Sequence, residues 1–202
     1  MKKIAISISV VFVFAALIAA ASVLNAQETK VVQLDVKFDP TTYVNRKTPL
    51  ILVVSTFLMQ NLEKTQSYIP VEVGIGNSGS TTVTLTRKGI KLTDETGQSY
   101  DLVSAQEITK NYGRLNYDHE KAYVPHLMGP IFFRYRAVSS RFTPEAKPNS
   151  LVYDTIDLAG NDVLIDILYF KVPAANVKGK SFELRVSASN LVEPATITFK
   201  VD

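Results

Sequence analysis

The side chains that could do acid–base or metal chemistry are few and lie close together in the middle of the chain. The chain has two histidines, and His119 stands between Asp118 and Glu120 while His126 follows seven residues later. Neighbouring residues of an extended chain point in opposite directions, so these side chains would not converge on one ion. We therefore expect solvated loop residues here. A hydrolytic or metal-dependent enzyme that uses His119 or His126 is kept as an alternative.

A second acidic group, Asp154, Asp157 and Asp162, flanks a turn that contains Asn161. It lacks the D-x-[DN]-x-[DN]-G spacing of a calcium loop. The sequence also contains no Gly-x-Ser-x-Gly, no His-Glu-x-x-His and no phosphate-binding glycine loop. Because the chain has no cysteine, thiol catalysis and thiolate metal sites are excluded. The sequence predicts a protein without metal or cofactor that is not an enzyme.

Tyrosine and arginine are concentrated between residues 111 and 136, which indicates a binding surface. These residue types dominate binding hot spots because they combine a stiff apolar body with directional hydrogen-bond donors. An ordinary solvated strand face beneath a tyrosine-rich loop is the alternative interpretation. The candidate binding residues are Tyr112, Arg114, Tyr117, Tyr123, His126, Arg134 and Arg136.

The end of this stretch alternates as a strand would. In residues 131–136 the odd-numbered side chains, Phe133 among them, are then predicted to face the core. Phe132, Arg134 and Arg136 would share the opposite face. On this register a Phe133→Ala substitution is expected to open a core cavity.

Elsewhere the dominant period is two, which is typical of strands with one face on a core. The apolar rows are Val32, Leu34, Val36 and Phe38; Val71, Val73 and Ile75; Phe182, Leu184 and Val186; and Ile197, Phe199 and Val201. Residues 50–54, continuing to Met59, and residues 163–170 are apolar on both faces and predict central strands, the first with a short buried helix as its alternative. Asp166 interrupts the second run, and we expect it to point outward rather than to be buried beside an arginine.

Turn residues separate these runs. Residues 77–80, "NSGS", residues 94–97, "DETG", and residues 159–162, "AGND", are hairpin-like connections, because glycine and asparagine accept positive φ at little cost. No long amphipathic helix is apparent. Short strands at this spacing predict an all-β fold, an antiparallel β-sandwich.

A family resemblance rests on three of these segments. Residues 68–100, "YIPVEVGIGNSGSTTVTLTRKGIKLTDETGQSY", are followed later by "ILYFKVP" at residues 167–173 and "FELRV" at residues 182–186. This pattern resembles a family of immunoglobulin-like domains of unknown function, found in bacterial lipoproteins and secreted proteins and related to a mycobacterial secreted antigen. The resemblance covers about half of the chain after residue 26 and implies an immunoglobulin-like sandwich without transferable site residues. Residues 104–150 exceed what such a domain needs and predict a long loop or hairpin insertion.

The first 26 residues have the pattern of a secretory signal: two lysines, an apolar stretch and small residues before a cleavage point after Ala26. A retained membrane anchor is the alternative. Residues 27–202 are then predicted to form one domain with 20 basic and 19 acidic residues, a balance that gives no electrostatic reason to bind nucleic acid. We expect a periplasmic or extracellular binding module for a protein or a glycan. A structural component of envelope assembly is a further alternative.

Overall fold

Strands are the main regular structure in the residues that the computed structural model describes, namely 35–46, 49–63, 66–145, 151–172 and 177–202. These residues belong to one compact unit. The strands are β1 Val36–Asp39, β2 Thr42–Asn45, β3 Leu50–Ser55, β4 Tyr68–Asn77, β5 Val83–Asp94, β6 Ser99–Asp101, β7 Arg136–Ala137, β8 Thr155–Leu158, β9 Asp162–Lys171, β10 Ser181–Ala188 and β11 Ala195–Lys200. The helices are α1 Phe57–Gln60, α2 Ala105–Asn111, α3 Leu115–Lys121 and α4 Met128–Phe132, with a 3-10 turn at Val124–Leu127. The predicted signal segment, residues 1–26, lies outside the described residues.

Two sheets pack face to face. The first has the strand order β1-β2-β3-β4-β9-β7, and the second has the order β11-β10-β5-β6, with β8 also pairing with β5. Among these strands pairing is antiparallel except between β7 and β9. One large apolar cluster fills the space between the sheets. The predicted all-β antiparallel sandwich is confirmed.

The inner rows of the strands agree with the alternation in the sequence. Val71, Val73 and Ile75 of β4 are fully buried in the central cluster, as are the predicted rows of β10 and β11. Strand β9 lies between β4 and β7 and is buried on both faces, as its apolar run predicts. The apolar run from residue 50 contains both expected elements, since β3 is followed directly by α1.

The first strand is an exception. Val36 is 74% exposed and Phe38 is 49% exposed, so the prediction that this row faces a core is wrong for them. Val36 pairs with Val44, which faces the outer side of the first sheet, and β1 is the last strand on that side. Its apolar face therefore extends beyond the elements that cover its neighbours. Val32 and Leu34 lie outside the described residues.

Only one of the three predicted hairpin connections joins neighbouring strands. Residues 94–97 connect β5 to β6, and Gly97 takes a positive φ of 87°. Residues 77–80 and 159–162 instead carry the chain from one sheet to the other, because β4 and β9 belong to the first sheet while β5 and β8 belong to the second. At the second crossover the backbone amide of Asn161, φ 62°, donates to the carbonyl of Asn77 at 2.8 Å.

The middle of the chain is helical rather than a loop or a hairpin. Residues 104–145, called the insertion below, contain α2, α3, the 3-10 turn, α4 and β7. The helices lie on the outer face of the first sheet, whereas Val138 and Phe142, which follow β7, pack in or against the central cluster. Each helix has at most seven residues, which is too short for the repeated apolar period of an amphipathic helix. Within the described part of the chain, no helix is long and apolar enough to cross a membrane.

Candidate functional site

The insertion begins with a capped helix. The side chain of Ser104 accepts a hydrogen bond from the backbone amide of Glu107 at 3.2 Å, which satisfies one of the free donors at the start of α2. The carboxylate of Glu107 accepts from the Tyr68 hydroxyl at 3.1 Å and from the Lys171 ammonium at 3.0 Å. The bond from Lys171 is the main reason that the pKa of Glu107 lies below its ordinary value. These contacts fix α2 to β4 and β9.

A buried carboxylate joins α3 to the sheet. Asp118 is fully buried, and its Oδ2 accepts from the hydroxyls of Tyr112 at 2.6 Å and Tyr169 at 3.3 Å. Burial raises the pKa of Asp118 and also the pKa values of the two tyrosines. The expectation that Asp118 is a solvated loop residue is therefore wrong. Tyr112 is only 4% exposed and belongs to the packing of the insertion rather than to an accessible surface.

Arg114 links this buried cluster to an exposed tyrosine. Its Nη2 lies 3.7 Å from Oδ1 of Asp118, and its Nη1 donates to the carbonyl of Asn61 at 3.1 Å. The guanidinium lies over the ring of Tyr117, 4.8 Å from the ring centroid. Tyr117 is 43% exposed, so this pair presents one aromatic ring to solvent.

The two histidines have different surroundings. His119 is partly buried, and its Nε2 donates to the carbonyl of Pro144 at 2.9 Å; burial lowers its pKa. His126 is exposed, with its ring centroid 5.9 Å from that of the half-buried Tyr123. The backbone amide of Tyr123 donates to the buried carboxylate of Glu72 on β4. Among the described residues, no group of three or more His, Asp or Glu side chains is placed to hold a metal ion.

The three acidic residues that lack the spacing of a calcium loop each have a different partner. Asp154 pairs with Arg87 at 2.8 Å, and Asp157 accepts from Thr84 Oγ1 at 2.7 Å. Asp162 accepts from Nε and Nη2 of Arg136 at 2.9 and 3.1 Å. The hydrogen bond from Arg136 keeps the pKa of Asp162 below its ordinary value.

At the end of α4, Phe132 and Phe133 face in the directions opposite to those predicted. Phe132 is 1% exposed, whereas Phe133 is 70% exposed, so the expectation that Phe133 faces the core and Phe132 faces solvent is wrong. Ile131 and Phe132 end α4 and pack together on the outer face of the sheet. A helix turns by 3.6 residues, so two consecutive side chains can share its buried face, which the period of a strand does not allow.

Two glycines of β4 make room for Phe132. A Cβ at Gly74 would lie 2.7 Å from Cε2 of Phe132, and a Cβ at Gly76 would lie 2.7 Å from its Cε1. The ring of Tyr135 meets that of Phe132 edge-on, with centroids 5.3 Å apart. This fit holds Phe132 inward and leaves Phe133 outside.

The outward residues form what we call the Phe133–Arg136 surface, consisting of Phe133, Arg134 and Arg136. The Arg134 guanidinium lies over the Phe133 ring, 4.9 Å from its centroid. Arg134 and Arg136 are both exposed, although they flank a turn into β7 and do not stand on one strand face. Arg136 is held by Asp162, and it is 77% exposed. An exposed aromatic ring with a stacked guanidinium offers apolar contact and directional donors at one point.

No protein-family model and no curated protein matches the chain. Among solved structures, the chain is similar to the yjhA protein from Bacillus subtilis at 12% identity and a TM-score of 0.41, over 79% of this chain and 96% of that one. The resemblance to immunoglobulin-like domains in the sequence stays a prediction.

Proposed function

We propose that the chain is an exported binding module without catalytic activity, which recognises a protein or a glycan through its insertion. The secretory pattern of residues 1–26 supports export. The observation that carries the binding proposal is the pair formed by Phe133, 70% exposed, and Arg134, which lies over its ring. A large aromatic residue exposed to water has an apolar surface that a partner would bury.

The geometry favours a fixed recognition surface. The insertion rests on the sheet through buried contacts at Phe132, Asp118 and Glu72, so the Phe133–Arg136 surface is presented by a packed element. A surface that is ordered before binding loses less conformational entropy when the partner binds. Tyr117 with Arg114 is a second exposed ring on the same insertion.

Affinity capture from the native envelope fraction tests this proposal. Residues 27–202 serve as bait, and the Phe133→Ala, Arg134→Ala double variant is compared with the wild type. We expect capture of the partner to weaken by roughly 30-fold or more, which corresponds to about 2 kcal/mol for truncated hot-spot side chains. The melting temperature should stay within a few degrees, because both side chains are exposed.

The matched control replaces one exposed apolar side chain and one exposed arginine that lie in or beside the second sheet. Val192, in the β10–β11 connection, and Arg185 of β10 are exposed, so Val192→Ala with Arg185→Ala should leave capture unchanged. Equal loss of capture in the two double variants would show that binding does not depend on the insertion. Unchanged capture in the first variant would contradict the proposed surface.

A further inference from the structure

The edge of β9 beyond the short β7 is covered by a segment that is not a strand. Val138 donates from its backbone amide to the carbonyl of Val163 at 3.0 Å, but the next contacts come from side chains. Nη1 of Arg141 donates to the carbonyl of Ile165 at 3.2 Å. Residues 138–143, called the strap below, therefore hold this edge of β9 mainly through individual side chains.

Asp166 is the central contact of the strap. Its side chain faces the core between the sheets, in the row of Leu164 and Leu168, and is only 2% exposed. Oδ2 accepts from the backbone amide of Phe142 at 2.7 Å, and Oδ1 accepts from the backbone amide of Ile167 at 2.9 Å. The expectation that Asp166 points outward is wrong, because donors from a distant part of the chain meet it inside the sandwich.

A hydroxyl of the strap lies between two acceptors at this point. Oγ1 of Thr143 is within hydrogen-bonding distance of Oδ1 of Asp166 and also of the carbonyl oxygen of Ile167, the latter at 2.8 Å. A threonine hydroxyl has one hydrogen, so it can donate to only one of them. Carboxylate and carbonyl oxygens are both acceptors, so with an ionised Asp166 one of the two contacts lacks a proton.

When Asp166 is neutral, both contacts of the Thr143 hydroxyl have a hydrogen. The acid O–H on Oδ1 donates to Oγ1 of Thr143, whose own hydrogen then goes to the carbonyl of Ile167. The two amide bonds from Phe142 and Ile167 remain, because carboxyl oxygens still accept when the group is protonated. In the ionised form the single hydroxyl hydrogen serves only one of the two oxygens. Either the Ile167 carbonyl loses this donor, or Oγ1 of Thr143 and Oδ1 of Asp166 face each other without a hydrogen between them, and both arrangements are unfavourable at a buried site.

Charged or titratable groups of two other elements contact this end of the strap. Nη2 of Arg87 on β5 donates to the carbonyl of Phe142, and Nε2 of His119 on α3 donates to the carbonyl of Pro144 at 2.9 Å.

Arg141 of the strap faces Asp166 and is itself paired with Glu145 at 2.8 Å. The charge of Asp166 contributes to the raised pKa of Tyr169 on β9. On β4, the apolar Val73 is the residue paired with Asp166. Desolvation outweighs the hydrogen bonds and the charge of Arg141 and raises the pKa of Asp166 to about 6.

We propose that Asp166, Thr143 and Ile167 form a proton-dependent latch, which fastens the strap to β9 when Asp166 is neutral and loosens it when Asp166 ionises. The device would make the attachment of the strap to β9 respond to pH. The proposal rests on the single hydrogen of the Thr143 hydroxyl, which cannot serve two acceptor oxygens at once. It does not depend on the identity of any partner.

The direction of the pH effect follows from the folded and unfolded pKa values. The folded value, about 6, lies above the ordinary value of 3.8, so the stabilisation is complete below about pH 4 and is lost as the pH rises through 6. Most acidic side chains have a lowered pKa in the folded protein, so their contribution to stability is present at higher pH and is lost as the pH falls.

Carboxyl carbon NMR of the full chain labelled at aspartate tests the latch. We expect one aspartate signal to titrate near pH 6 and to disappear in Asp166→Asn. Over the same range, hydrogen exchange at the Phe142 amide should accelerate by at least about 10-fold beyond the intrinsic effect of pH. An Asp166 signal that remains ionised down to pH 4.5 would overturn the proposal, as would titration near pH 6 without any change in exchange.

The bridging hydroxyl provides an independent variant pair. Thr143→Val keeps the shape and removes the hydroxyl, so at pH 5 its Phe142 amide should exchange at least about 10-fold faster than in the wild type. Thr143→Ser keeps the hydroxyl and should retain both protection and pH response. If Thr143→Val keeps the wild-type pH response of exchange, the hydroxyl does not carry the latch and the proposal is wrong.

Discussion

Replacing Phe132 with alanine is expected to lower the free energy of unfolding by about 3–5 kcal/mol, the range for large aromatic residues removed from a core. The ring is 1% exposed and fills the space above Gly74 and Gly76, whose missing side chains leave no other group to occupy it. The alanine variant therefore leaves a cavity between the insertion and the sheet. Denaturant unfolding, followed by circular dichroism, measures the change.

Phe133→Ala is the matched control, because it removes the same side chain from the next residue. Phe133 is 70% exposed, so its replacement should change the free energy of unfolding by no more than about half a kcal/mol. Comparable destabilisation by the two variants would show that the register of α4 on the sheet is wrong.

Arg87→Ala is expected to cost about 3–5 kcal/mol, because its one side chain donates to the backbone carbonyls of two buried residues. Nη1 of Arg87 donates to the carbonyl of Val103 at 2.8 Å, and Nη2 donates to the carbonyl of Phe142. Hydrogen bonds from a charged donor contribute about 1.5–3 kcal/mol each when the acceptors are buried. The side chain of Arg87 is 13% exposed, so water replaces few of these bonds.

Two further variants separate the carbonyl contacts from the ion pair of Arg87. Asp154 is 88% exposed, and Asp154→Ala should cost less than about 1 kcal/mol, because exposed ion pairs contribute little. Arg87→Lys should recover only part of the loss, since an ammonium lacks the fork geometry of the guanidinium. Thermal or denaturant unfolding checks both, and a large effect of Asp154→Ala would contradict our account of Arg87.

The strands could be predicted because alternation is a local property of the sequence. Val71, Val73 and Ile75 identify the inner face of β4 without reference to any other segment. Alternation does not show whether another element covers the apolar face. Val36 therefore looks like a core residue in the sequence although it is exposed at the edge of the sheet.

The insertion was harder to predict because its helices are short. One local signal was available, the Ser104-x-x-Glu107 pattern that often begins a helix. The inward position of Phe132 depends on Gly74 and Gly76, which lie more than fifty residues earlier in the chain. A contact between such distant segments leaves no periodic pattern near Phe132.

Buried acids were missed for the same physical reason. Charged side chains are seldom fully buried, so exposure is the reasonable expectation for Asp118 and Asp166. Each is buried because hydroxyl or amide donors from other segments meet it, such as Tyr169 for Asp118 and Phe142 for Asp166. The number of donors around a carboxylate becomes apparent only when the fold is known.

The central claim, that a partner binds at the Phe133–Arg136 surface, is tested most directly by site-specific crosslinking. The chain has no cysteine, so Phe133→Cys provides a single attachment point for a maleimide photocrosslinker, and Val192→Cys provides an exposed control in the β10–β11 connection. In the native envelope fraction we predict a defined adduct from position 133 and none from position 192. No adduct from position 133, or equal adducts from both positions, would contradict the claim.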